Sequence, residues 1–251
     1  MLGFIPQAAT LRAALGVGTT LFLLASHIPA SQAALSLNAT RVVFDSDKRS
    51  VSLIVNNPSQ SPYAVQTWVN TAADDTTAAV PFIPSPPLFR LNPGKEQQVQ
   101  INGLPHNLPN DRESLFYFNV QEIPQAGAVE GNVLNIALRT RIKLFYRPVQ
   151  LKEKPASRLK DLQWSIERFN GKPHLLVSNP TPFHVSFSRI ELNASGRLET
   201  LNNPAMVEPM QQQRFALSTI ESGTDLRVSF TAINDYGATS ALQHAPVQLS
   251  P

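Results

Sequence analysis

The sequence predicts an all-β protein, built as two consecutive β-sandwich domains behind an export signal. Three observations carry that reading. Short apolar or alternating runs, split by turn residues, recur from residue 35 to residue 247. Twenty-one prolines are spread over 251 residues, and each removes a backbone donor and fixes φ, which argues against long helices. A polar stretch at 150–158, holding Lys152, Glu153, Lys154 and Pro155, interrupts the runs midway. No long window shows helical periodicity.

Residues 1–33 read as a secretory signal. Arg12 is their only charge and precedes an apolar run, 13–25, that ends in polar and turn-forming residues. Ser31-Gln32-Ala33 places small residues at −3 and −1, predicting cleavage before Ala34. The run is shorter than the ~20 residues of a spanning helix, so the expectation is an exported protein without a membrane anchor.

The first domain is placed at 34–152. Its runs are 35–44, 51–55, 63–69, 83–91, 99–101, 115–123 and 133–146. Pro84, Pro86 and Pro87 demote 83–91 to an edge strand at best. Asn92-Pro93-Gly94 is a turn in which proline supplies the fixed φ and glycine the positive one. Seven runs at this spacing fit an Ig-like sandwich. After the linker, 153–251 forms a second β-sandwich from runs at 162–166, 174–177, 183–190, 214–217, 226–233 and 242–247, with turns at Asn170-Gly171, Asn179-Pro180 and 235–237. No internal repeat is visible.

Composition excludes several function classes. With no cysteine there is no disulfide scaffold, thiolate metal site or cysteine nucleophile. A net charge of +3, dispersed along the chain, is too small for a nucleic-acid footprint. GxSxG, HExxH, Walker and GxGxxG motifs are missing. No catalytic residue, metal site or cofactor is expected. His106, His174, His184 and His244 have no metal-ligand spacing and read as surface or strand-end residues. Asp74-Asp75 reads as a pair of solvated turn residues. Asn38-Ala39-Thr40 and Asn193-Ala194-Ser195 match the glycosylation pattern, which is short and arises often by chance. Trp68 and Trp164 read as core residues, one per domain.

One segment stands apart. Residues 133–146, VLNIALRTRIKLFY, are long for a strand in a small sandwich. Leu134, Ile136 and Leu138 share a face by the period-two rule. An ordinary half-buried strand would give the same pattern. The sharper reading is an edge strand that offers its apolar row to another chain, because its first half carries little of the charge or proline that protects natural edges. Strict alternation puts Lys143 on the face opposite Leu138, so one partner reaching both would call for a bulge or bend near 139–141. Glu113, Arg147 and Asp235 each adjoin apolar residues. If buried, they must pair.

Residues 108–124, LPNDRESLFYFNVQEIP, followed by NVLNIALRTRI and then KLFYRP at 143–148, resemble the signature of the periplasmic pilus chaperones, the PapD-like family. Supporting pieces are Thr40-Arg41-Val42-Val43-Phe44, Pro86-Pro87, Arg90-Leu91-Asn92-Pro93-Gly94, Asn179-Pro180-Thr181-Pro182-Phe183 and Asn234-Asp235-Tyr236-Gly237. They run in order through nearly the whole chain after the signal.

The resemblance implies two Ig-like domains set at an angle around a cleft. It implies a non-enzymatic periplasmic chaperone that binds pilus subunits by donor-strand complementation and delivers them to an outer-membrane usher. Strand 132–144 would be lent, with Leu134, Ile136 and Leu138 filling the subunit groove and Asn132 and Val133 extending the contact. Arg41 and Lys143 match the family's anchor for the subunit's C-terminal carboxylate. Glu113, Arg147 and Asp235 match its interdomain charges. The short segment 125–131 and the absence of cysteine fit the short-loop subclass, tied to rod-like pili. A free apolar edge also leads us to expect a self-capping homodimer. The competing readings are a two-domain pilus subunit or adhesin, which should lack a complete first domain, and a periplasmic enzyme or sugar-binding sandwich, which should show convergent acids or an aromatic platform.

Overall fold

The computed structural model describes residues 35–124, 137–220 and 225–249. The signal segment 1–33, the segment 125–131 and the predicted row residues Leu134 and Ile136 lie outside them.

The first sandwich comprises β1 (Ser36–Leu37), β2 (Arg41–Asp45), β3 (Ser50–Asn56), β4 (Tyr63–Asn70), β5 (Phe82–Ser85), β6 (Leu88–Leu91), β7 (Glu96–Gly103), β8 (Ser114–Pro124) and β9 (Arg139–Arg147). One sheet has the order β1-β3-β7-β5 and the other β2-β9-β8-β4-β6. Pairing is antiparallel except between β2 and β9. Inward residues at period two, among them Phe44, Val55, Val65, Phe82, Ile101, Phe118 and Leu144, form one core. Phe82 sits 5.0 Å from both Phe44 and Phe116, edge to face.

The proline-rich run differs from its expectation. It is two strands, and they belong to opposite sheets: β5 is the edge of one and β6 the edge of the other. Pro86 and Pro87 carry the chain across, since neither can donate to a ladder. The Ser85–Pro86 peptide is cis.

The second sandwich comprises β10 (Gln163–Phe169), β11 (Lys172–Ser178), β12 (Phe187–Ala194), β13 (Arg197–Leu201), β14 (Gln212–Ala216), β15 (Arg227–Ala232) and β16 (Gln243–Leu249). Its sheet order is β13-β12-β15-β16-β10-β11-β14. Strand β16 joins the halves: residues 243–246 pair with β15 and residues 247–249 run parallel to β10. Trp164 is buried as expected, with Phe187 and Phe230 at 5.6 and 5.2 Å. Asn170 and Gly171 have φ of 50° and 77°, the two positive values a tight two-residue hairpin needs between β10 and β11. The polar stretch expected as linker is partly ordered as a 3-10 helix, Pro155–Asp161, with proline at its start and Leu159 buried against the second core.

A repeated device escaped the sequence reading. Asn57 is fully buried; its amide donates to the carbonyls of Ser61 and Leu91, and its oxygen accepts from Ser59. Asn179 does the same in the second domain with Phe183, Glu208 and Thr181. Each is an Asn-Pro-Ser/Thr turn whose side chain replaces a missing backbone partner. Three residues are too few to register as a repeat.

Candidate functional site: the interdomain charges and the open strand

The predicted charges converge where the two sandwiches meet. Arg147, the last residue of β9, donates from Nε to Glu113 Oε1 at 2.8 Å. It also grips Asp235 with two bonds, Nη1 to Oδ2 at 2.7 Å and Nη2 to Oδ1 at 2.8 Å. Glu113 belongs to the first domain and Asp235 to the second, so one guanidinium fork spans both. The Glu113 side chain is 2% exposed, that of Arg147 14% and that of Asp235 35%. Burial works against the charge on Arg147, but the two carboxylates outweigh it and raise its pKa.

His184 joins this network, contrary to its reading as a surface or strand-end residue. Its backbone N–H donates to Glu113 Oε2 at 2.8 Å, and its Nδ1 lies 3.1 Å from the same oxygen. The side chain is 4% exposed. A buried carboxylate has four lone-pair sites, and Arg147 satisfies one oxygen while His184 satisfies the other. His184 follows Asn179-Pro180-Thr181-Pro182-Phe183, a motif the sequence reading did single out; its proximity to Glu113 had no local signal. Gly237 closes the contact: a Cβ there would lie 2.2 Å from Thr40 Oγ1 of the first domain.

Arg41 and Lys143 stand directly opposite each other in the parallel pair β2 and β9. Two like charges in register normally repel. Lys143 Nζ donates to Ser186 Oγ at 2.8 Å, and Arg41 Nη1 to the Ile233 carbonyl at 3.0 Å, both in the second domain. Arg41 Nε is buried with no hydrogen-bond partner. Neither cation has a carboxylate within ion-pair distance among the described residues. Burial, reinforced by the neighbouring Arg41 charge, pushes the Lys143 ammonium down to about 8. Burial likewise lowers Arg41, against a partly offsetting attraction from Asp235. Beside them a cavity of about 180 Å³ is lined by Arg41, Phe145, Arg147, His184, Ile233 and Tyr236. The arrangement suits an anion small enough to reach two cations at once.

Strand β9 explains how an outside chain could reach this place. Strand β8 pairs with β9 along residues 139–146, whereas β2 covers it only from Lys143 onward. Residues 139–142 therefore have a strand on one side and none on the other among the described residues. Leu138, immediately before them, is 51% exposed. The β8 register runs without a shift through 139–146, and the Glu122 N–H donates to the Leu138 carbonyl at 3.0 Å, so the strand is regular where a bulge was considered. No bulge is required, because a chain adding along the open edge has access to both faces.

Two more readings change. Asp74 is not a free turn residue: it accepts two bonds from the Arg139 guanidinium, at 3.0 and 2.5 Å, and one from Asn70. Those partners, Arg139 first, hold its carboxyl at about 2. Trp68 lies outside the core cluster, with the Arg139 guanidinium 4.9 Å from its ring. Among the described residues no group of three or more His, Cys, Asp or Glu side chains could hold a metal ion.

Comparison with known proteins fits this geometry. Residues 34–152 match the profile described as pili and flagellar-assembly chaperone, PapD N-terminal domain, and residues 157–244 match pili assembly chaperone PapD, C-terminal domain. The chain is 36% identical to the probable fimbrial chaperone YadV of Escherichia coli K12 over 216 residues, covering 82% of this chain and 87% of that one. It is 36% identical to the chaperone protein FimB/FhaD of Bordetella pertussis over 235 residues, covering 89% and 92%. The crystal structure of the YadV chaperone superposes with a TM-score of 0.74 at 34% identity, covering 85% of this chain and 99% of that one. The SafB chaperone, solved with the SafA pilin of Salmonella enterica, gives 0.73 at 26% identity, covering 86% and 98%. With both domain profiles matched in order over most of its length, this chain belongs to the PapD-like family of pilus assembly chaperones.

Proposed function

We propose that this chaperone works in the periplasm by donor-strand complementation. It lends residues 132–144 to a pilus subunit, anchors the subunit's C-terminal carboxylate between Arg41 and Lys143, and passes the subunit to an outer-membrane usher. One observation carries the reading: two half-buried cations in register, with no carboxylate at ion-pair distance among the described residues, lie at the foot of a strand whose edge those residues leave half uncovered. The signal segment 1–33 supports the compartment. A relative of this fold solved with a pilin supports the class of partner.

The physics of the step follows from the site. A subunit strand adding along residues 139–142 satisfies backbone groups that otherwise face solvent. Leu134, Ile136 and Leu138 supply the apolar row, each contributing about 1.5–3 kcal/mol on full burial before ordering costs. A one-residue slip would turn that row away from the groove. A carboxylate held by two fixed cations prevents the slip. The network of Glu113, Arg147, Asp235 and His184 holds the two domains so that Ser186 and Ile233 keep Lys143 and Arg41 aimed. No chemical step is involved. Between subunits the uncovered edge favours a self-capping homodimer. The short segment 125–131 supports the short-loop subclass.

The test is co-expression of the tagged chain in a bacterial periplasm with the pilus subunits encoded beside it. A one-to-one complex, lost with Lys143→Met, is expected. A complex that survives Lys143→Met would remove the anchor. No complex with any subunit would remove the chaperone reading.

A further inference from the structure

The first half of β9 meets a problem that the anchor does not solve. Among the described residues only β8 pairs with residues 139–142, and a strand with one neighbour can splay from its sheet. The structure shows what holds it down. Arg139, the first residue of β9, reaches across β8 and β4 on the sheet's outer face. Its Nη1 and Nη2 bind Asp74, in the loop after β4, at 3.0 and 2.5 Å. Its Nε and Nη2 also donate to Asn119 Oδ1 on β8, at 3.0 and 2.6 Å. Asn119 in turn donates to Asn70 Oδ1 on β4 at 3.0 Å, and Asn70 donates to Asp74 at 2.5 Å, closing the ring. Asn119 and Asn70 are 0% and 1% exposed. Asparagine is a poor strand residue, and two buried ones joined in one ring call for a shared purpose. Arg141, two residues on, donates to the Thr71 carbonyl of the same loop at 2.7 Å and lies 3.8 Å over the Tyr117 ring. Asp74 adopts φ of 62°, a left-handed conformation that aspartate tolerates better than most residues.

We infer that Asp74 is a positioning residue for subunit capture, acting through Arg139 to clamp the open half of β9 flat on β8. The inference rests on the chaperone reading above and concerns the register between two parts of one strand. The anchor lies at Lys143 and the apolar row ends at Leu138. Both can engage one subunit only if the four residues between them, 139–142, keep a fixed path. The clamp sits at the start of that interval, and Arg141 sits within it.

The experiment compares wild type with Asp74→Ala, Arg139→Ala, Arg139→Lys and the exchanged pair Asp74→Arg with Arg139→Asp. Amide hydrogen exchange at residues 138–142 is measured in the full free chain, and capture is measured against a purified pilus subunit. Half-exposed ion pairs contribute little to global stability, so melting temperatures should move by no more than about 2 °C. Exchange at 138–142 should quicken by about fivefold or more in both alanine variants, because local opening no longer breaks the clamp. Capture should weaken by about tenfold in the same variants, as expected when a binding-competent geometry becomes a minority state. Arg139→Lys should fall between, and the exchanged pair should recover part of both losses. Exchange and capture unchanged in Asp74→Ala would overturn the clamp. So would equal losses in all variants that track a fall in melting temperature, which would make the ring merely structural. If wild type itself captures no subunit, the chaperone reading fails while the exchange measurement still decides whether the clamp exists.

Discussion

Replacing Arg147 by alanine should be the most damaging single change at the domain junction. The side chain makes three close bonds, one to Glu113 and two to Asp235, and its loss strands a carboxylate that is 2% exposed. Breaking a buried pair by deleting one partner costs about 3–5 kcal/mol. Glu113 keeps its bonds from the His184 N–H and ring, which puts the cost near the lower end, about 3 kcal/mol. Asp235→Ala should cost only about 1 kcal/mol, because Arg147 keeps Glu113 and Asp235 is the more exposed partner. The double change Glu113→Gln with Arg147→Met removes both charges and should recover much of the loss. Urea unfolding reads all three, with Trp68 reporting the first domain and Trp164 the second. A cost below about 1 kcal/mol for Arg147→Ala, or an equal cost for Asp235→Ala, would refute the reasoning.

Lys143 predicts a pH dependence with a definite sign. Its folded pKa of about 8 lies below its unfolded value, so the unfolded chain holds a proton that the folded chain releases as pH climbs above 8. Stability of the free protein should therefore rise through that alkaline window, and the rise should vanish in Lys143→Met. Capture of a carboxylate needs the charged lysine, so affinity should be flat below about pH 8 and fall above it, a fall that Lys143→Arg should abolish. Gly237→Ala should destabilise the chain and shift the domain angle seen by small-angle scattering, because φ is +82° and the new Cβ meets Thr40 at 2.2 Å; adding Thr40→Ala should restore part of both. Glu199 is buried in the second domain, which pushes its carboxyl up, but the N–H groups of Ser218, Thr219 and Ile220 win and hold it below its usual value. Its contribution is present above the usual glutamate pKa and lost as pH falls through the lowered one. Glu199→Gln should cost about 2 kcal/mol at neutral pH and flatten the acid side of the stability profile in urea titrations.

What the sequence made legible was whatever a short window carries. Period-two runs placed the strands, and Asn170-Gly171 announced its hairpin because only positive φ at both positions fits a tight turn. Glu113, Arg147 and Asp235 could be singled out as charges beside apolar residues, since burial would force them to pair. Their meeting at one guanidinium depends on how two domains pack, and no window holds that. The same holds for His184, which looked like a strand-end residue until the fold brought Glu113 against it. Asp74 is exposed, as its reading as a solvated residue has it, but its pairing was not legible because its partner, Arg139, is 65 positions away along the chain. Trp68 looked like core because tryptophan in a strand usually is; here the face it occupies is covered by an arginine. The proline run was rightly barred from a sheet interior. Only the three-dimensional path shows that it leaves one sheet at Ser85 and enters the other at Leu88. The resemblance reached Arg41 and Lys143 through motif positions, while their direct opposition follows from a parallel pairing that joins the two ends of the first domain.

The account rests on a carboxylate read by two cations at the foot of an open strand. Calorimetric titration of a peptide copying the last strand of a pilus subunit, as free acid and as C-terminal amide, tests that most directly. The account predicts that amidation weakens binding to wild type by about tenfold or more and changes nothing in Lys143→Met. Equal binding of acid and amide by wild type would contradict it.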